Sequence, residues 1–150
     1  MKKFVFVLCV VLGILAGTGA YTFRYAKGLS YLSNDPRACM NCHIMTERYD
    51  SWVKSSHHKA AACNDCHVPH ALPFKYIEKS RNGWNHSKAF TLQNYPDPIR
   101  ITSHNLRILE KNCVECHDTM VSEIAAHKDI KEGAVRCTTC HRSVGHMSLD

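Results

Sequence analysis

The chain repeats the pentapeptide Cys-X-X-Cys-His four times, and no other feature narrows its possible folds so far. The copies are Cys39-Met40-Asn41-Cys42-His43, Cys63-Asn64-Asp65-Cys66-His67, Cys113-Val114-Glu115-Cys116-His117 and Cys137-Thr138-Thr139-Cys140-His141. Each carries the spacing that attaches a c-type haem. Two thiols add across the vinyl groups as thioethers, and the adjoining histidine reaches the iron from one face. Four motifs call for four covalently attached haems, with their iron, and use eight of the nine cysteines. Three rival readings are weaker. Paired four-thiolate zinc sites need no histidine after every second cysteine. A redox dithiol would sit in a thioredoxin-like strand and helix context, which is absent here. Disulfides in an exported chain leave the four histidines unexplained.

That cofactor load decides what kind of core is available. The chain has 150 residues, one domain's worth. Its 45% apolar fraction is inflated by the N-terminus, and beyond about residue 28 large aliphatic residues are sparse. Four haems then share roughly 120 residues, so a conventional side-chain core cannot form. The haems are expected to be the core, and the chain without them is not expected to fold. Haem c is attached outside the bacterial cytoplasm, which makes this an exported protein. The net charge of +6 includes Lys2 and Lys3, and haem propionates offset much of the rest. No basic run or aromatic platform points to nucleic acid.

The export segment is visible. Residues 4–23 carry no charge, and twenty helical residues span about 30 Å, the hydrocarbon thickness of a bilayer. Lys2 and Lys3 place the N-terminus in the cytoplasm. The remainder then lies on the periplasmic side, with Tyr21, Phe23 and Tyr25 at the outer interface. Thr18 and Ala20 also fit the small residues of a cleavage site. The full membrane length of the apolar stretch favours an uncleaved anchor over a signal peptide. The expected division is a membrane anchor over residues 1–28 and a periplasmic tetrahaem domain over 29–150. Cys9, the odd cysteine, reads as a small hydrophobe in the membrane helix.

The motif cysteines begin at 39, 63, 113 and 137. The first and last intervals are equal and the middle one is about twice as long, the pattern of two dihaem halves. The expected fold is mainly α with much irregular structure. Helices are expected over 46–58, 72–90, 103–112 and 118–127, with Gly83 as an interruption and Pro96 and Pro98 in a turn. No stretch alternates well enough to predict a strand.

Four haems offer eight axial positions, and His43, His67, His117 and His141 can fill four. Seven further histidines remain: His57, His58, His70, His86, His104, His127 and His146. Met45, two residues past His43, is within reach of the first iron, where a thioether would raise the potential relative to two imidazoles. Otherwise it packs on the porphyrin face.

Residues 30–45 (SYLSNDPRACMNCHIM), 52–57 (WVKSSH) and 81–87 (RNGWNHS) resemble the NapC/NirT/NrfH family of membrane tetrahaem cytochromes c. The likeness runs from the anchor to His146. Short length and the lack of a fifth haem favour the small quinol-oxidising subunit of cytochrome c nitrite reductase over longer relatives. The resemblance implies that Met45, rather than His43, ligates the first haem beside the membrane. It implies His57 opposite His141 on the fourth haem, and His146 opposite His117 on the third. His67 holds the second, with its other face open or filled by a partner. His127 is a further ligand candidate. For the quinol site it implies Lys75 and, at a position that is acidic in the family, Asn82. Asparagine hydrogen-bonds a hydroxyl but cannot accept its proton, which leaves Glu78 or a propionate as acceptor.

The expected function is therefore a quinol dehydrogenase in anaerobic respiration. It oxidises menaquinol at the bilayer and passes electrons to a periplasmic pentahaem cytochrome c nitrite reductase. Two other classes compete. One is a tetrahaem electron carrier without its own quinol site. The other is a terminal reductase acting at a haem with an open face.

Overall fold

The computed structural model describes residues 1–124 and 135–147. Among them the chain is helical and irregular, with no strand. Helix α1, Lys2–Tyr25, is long and apolar enough to cross a membrane, with a mean hydropathy of 2.3 and no buried residue. At 24 residues it reaches about 36 Å. Tyr21 and Tyr25 stack at its C-terminal end with ring centres 6.1 Å apart. Lys27 then takes the left-handed conformation at φ 51°, which turns the chain out of the helix. Gly28 follows because a Cβ there would run into the Phe23 ring.

Three short 3-10 turns come next: η1 (Gly28–Leu32), η2 (Pro36–Asn41) and η3 (His43–Met45). Asp35 starts η2 as an N-cap, its carboxylate accepting from the Arg37 N–H at 2.9 Å, with Pro36 in the first position. Helix α2, Thr46–Val53, is shorter than the 46–58 expected. The chain after it folds back instead, and the Trp52 indole N–H donates to Ala61 O at 3.1 Å. Helix α3, Cys63–His67, is the second motif itself.

Helix α4, Phe74–Leu92, runs through Gly83 without a break. The glycine is there for a neighbour: a Cβ would meet the Tyr31 ring of η1 at 3.3 Å. Pro73 opens α4 and Gln93, at φ 53°, ends it. Helix α5, Ser103–Glu123, is capped by the Thr102 hydroxyl accepting from Asn105 N–H. It joins the two helices expected on either side of the third motif, with a kink at His117 (φ −112°, ψ 21°). The remainder of the second expected helix, and His127, lie outside the described residues. Helix α6, Cys137–Cys140, carries the fourth motif.

Apolar burial is nearly absent. Among the described residues Val68 and Val121 alone make the buried apolar set, at 3% and 8% exposure. Polar side chains hold the elements together instead. Asn112, 3% exposed, donates its Nδ2 to the carbonyls of Asp65, Cys66 and Val68 at 2.9–3.1 Å, tying α5 to α3. Lys79, 4% exposed, donates to Leu32 O, Ser33 O and Asn34 Oδ1 at 2.7–3.2 Å, tying α4 to η1. Each such bond is worth about 1 kcal/mol net, and more where the donor is charged.

Candidate haem-binding site

All nine cysteines are free thiols, and the motif cysteines meet across motifs. Cys39 and Cys63, the leading cysteines of the first and second motifs, are hydrogen-bond neighbours. Cys113 and Cys137 repeat that contact between the third and fourth. Cys66 is close enough to feel the charge of Cys116, which links second to third. The four motifs therefore form a continuous series in chain order. Glu110, one turn before the third motif, secures the fourth. Its carboxylate accepts from the N–H groups of Cys137 (2.6 Å) and Thr138 (3.1 Å) and from the Thr138 hydroxyl.

Two motif histidines face a histidine from elsewhere. The ring centres of His57 and His117 lie 6.0 Å apart, and those of His67 and His146 lie 6.1 Å apart. Imidazoles that bind one metal from opposite sides, each nitrogen about 2 Å away, have ring centres roughly 6 Å apart. The second ring nitrogens agree with this. His57 Nδ1 donates to Val144 O at 3.1 Å and His146 Nδ1 to Arg48 O at 2.9 Å. A carbonyl has no proton to give, so each Nδ1 is the N–H, and each Nε2 keeps its lone pair for a metal. Burial, with His146 beside it, pushes His67 down to about 4, and burial also lowers His146. The residues fit haem in thiol supply, ligand spacing and tautomer.

The resemblance set His57 opposite His141 and His146 opposite His117, whereas the ring contacts seen here are His57 with His117 and His146 with His67. A ring of this chain thus lies beside the second-motif histidine. The reason is the backbone of residues 144–147, which lies along α2. Val144 O receives Ser56 Oγ as well as His57, and Met147 N–H bonds Ser51 Oγ. This strap carries His146 to the second motif while holding His57 toward the third.

At the first motif, Met45 is half-buried in η3, its N–H bonded to Cys42 O at 2.9 Å, while His43 is exposed. A cleft of about 370 Å³ opens nearby, where α1 gives way to the haem-bearing part, lined by Phe23, Leu29, Tyr31, Leu32, Lys79 and Trp84. Lys75 and Asn82 are absent from that lining. Both are half-buried on α4, and Asn82 Oδ1 accepts from Asn105 Nδ2 at 3.1 Å. The lysine that reaches the cleft is Lys79, one helical turn after Lys75. Helical spacing from Lys75 was the available signal for it. Glu78, the acceptor considered from sequence, is 6% exposed and bonded through Oε2 to His104 Nε2 at 2.9 Å, between α4 and α5.

The model of the NapC/NirT cytochrome c family, N-terminal region, matches residues 1–150. The cytochrome c-type protein NrfH of Wolinella succinogenes is 40% identical over 97% of this chain and 87% of its own length. The cytochrome c nitrite reductase subunit NrfH of Nitratidesulfovibrio vulgaris is 34% identical over 83% of this chain and 74% of its own. A chain in the crystal structure of a cytochrome c nitrite reductase NrfHA complex bound to the HQNO inhibitor superposes with a TM-score of 0.67. It is 30% identical, with 94% of this chain and 89% of that one covered.

Proposed function

This chain belongs to the NapC/NirT cytochrome c family, and from that premise we propose that it is the quinol-oxidising tetrahaem subunit of a nitrite reductase. It takes electrons from menaquinol at the membrane and hands them to a periplasmic pentahaem cytochrome c nitrite reductase. The observation that carries this reading is near-full-length similarity to a chain solved within such a complex, together with two histidine pairs at metal-ligating distance. HQNO in the relative's complex supports a quinol site as well as the reductase partner.

Residues 1–28 act as the anchor, with Lys2 and Lys3 cytoplasmic, and residues 29–150 form the periplasmic tetrahaem domain. The cysteine pairs of the four motifs hold the haems. Met45 serves the first, the pair His67 and His146 the second, the pair His117 and His57 the third, and His141 the fourth. Bound there, the haems supply the one-electron chemistry. The chain supplies position. Phe23, Leu29 and Leu32 give the cleft an apolar wall level with the end of α1, where a lipid-soluble ring enters from the bilayer. Lys79 spends three donors on backbone and Asn34 acceptors, so it shapes the wall. Lys75, a turn earlier and outside the lining, would have to swing toward the cleft to meet a quinol oxygen. Asn82 has its carbonyl occupied by Asn105 and its NH₂ left to donate.

The test is anaerobic reduction of the detergent-solubilised holoprotein by a menaquinol analogue. Rapid reduction that a quinol-site inhibitor blocks is the expected result. Normal reduction by dithionite with none by quinol would leave an electron carrier and overturn the assignment.

A further inference from the structure

Quinol oxidation releases protons as well as electrons, and the cleft needs a group to receive them. Lys75, Lys79, Asn82 and His86 recur every three or four residues, so they leave the same side of α4. That side runs past η1. Tyr31 packs on Gly83 and its ring centre lies 6.2 Å from that of His86. Tyr31 also lines the cleft and feels the Cys39 and Cys42 sulfurs of the first motif. His86 lies outside the cleft lining and meets it through the Tyr31 ring, next to Ser87 of the lining.

The stripe offers one base. Lys79 is held as an ammonium by three acceptors, Lys75 is a second cation, and an asparagine amide does not take a proton at neutral pH. The other non-motif histidines among the described residues all have a ring nitrogen in a hydrogen bond: His57, His58, His70, His104 and His146. His86 has the Tyr31 ring as its recorded neighbour and no hydrogen bond. Desolvation lowers its pKa from the ordinary imidazole value. The titratable side chain in ring contact with it is Tyr31 from η1, and Lys75 and Lys79 share its stripe on α4. From α5, His104 is engaged with Glu78.

We propose that His86 is the base that takes the quinol proton beside the first haem. The inference deepens the quinol-oxidising reading and rests on it. A quinol O–H bond breaks as its proton passes to a His86 ring nitrogen, and a ferric haem held by Cys39 and Cys42 would be the oxidant for the accompanying electron, as that reading supplies. His86 releases the proton to water and accepts the second in the same way. Quinol thus yields quinone, two protons and two electrons.

The test compares holoprotein with His86→Gln, which keeps hydrogen-bonding capacity and loses the base. Reduction by a menaquinol analogue is followed by stopped flow across pH, beside dithionite reduction and the oxidised haem spectrum. Quinol-driven reduction is expected to slow about 10²-fold in the variant, with dithionite reduction and spectrum unchanged. The wild-type rate should fall on acidification below the ordinary imidazole pKa, and that limb should vanish in the variant. In His86→Gly, added imidazole should restore much of the rate. A variant with wild-type rate and pH profile overturns the proposal. So does a changed haem spectrum, which would make His86 an iron ligand. Wild-type protein that the quinol fails to reduce overturns the quinol reading, and this one with it.

Discussion

The two halves of the chain place their motifs at the same interval, yet they are built differently. In the first half the motifs ride on separate small elements, η2 and α3, and are held from outside by Lys79 and Asn112. In the second half one long helix, α5, carries the third motif and reaches forward through Glu110 to cap the fourth. The halves also exchange histidine contacts. His57 of the first half faces the third motif, and His146 of the second half faces the second motif. Equal spacing suggests two modules, but the exchange makes them one folding unit. Neither half contains both rings for the motif it shares.

The largest expected effect follows from how little the chain buries by itself. Produced without haem attachment, the polypeptide should lose the circular dichroism of α2 to α6 and become protease-sensitive throughout residues 29–147. Persistent helix there would mean that the halves stand alone. Next, His146→Ala should convert one low-spin haem to a high-spin one, read by electron paramagnetic resonance, and raise its potential. Assigning the change to the second haem supports the exchange, and assigning it to the third restores the within-half pairing. A smaller effect is expected at the α3–α5 seam. Asn112→Ala removes one donor shared by three carbonyls and should cost about 2 kcal/mol, measured by denaturant unfolding of the holoprotein with haem content unchanged.

The smallest effect concerns pH. Burial alone would raise the Glu110 carboxyl, but hydrogen bonds from Thr138 and Cys137 outweigh it and leave the pKa below the ordinary value. A carboxylate depressed in the folded state stabilises above its unfolded pKa, and that contribution disappears as pH falls through the folded value. Acidification below about pH 4.5 should therefore loosen the fourth motif, seen as faster hydrogen exchange at Cys137 and Thr138. Glu110→Gln should flatten that dependence. An unchanged acid limb in the variant would place the sensitivity elsewhere.

The four motifs and the membrane-length helix were legible because their signals are local. A pentapeptide specifies an attachment, and a run of uncharged residues specifies a membrane-length helix. Which histidine rings meet was not legible, because His57 and His146 are positioned by backbone contacts distant in sequence. Spacing cannot report those contacts. Helix ends failed for a related reason. Residues 54–58 were expected to continue α2, but Trp52 bonds Ala61 and the chain turns back. Gly83 looked like a break and proved to be room for Tyr31. Lys75 was chosen on resemblance, while tertiary packing sends Lys79 to the cleft.

The strap formed by residues 144–147 has a consequence for biogenesis. These residues follow all four motifs in the chain. The His146 ring that packs against His67 therefore arrives after all four motifs have been translocated and made available to the attachment machinery. A chain cut short just after His141 would carry every attachment point and still lack that ring, and His57 would lose the carbonyl that fixes its tautomer. The contacts that join the two halves are in this way made only after the fourth motif has emerged.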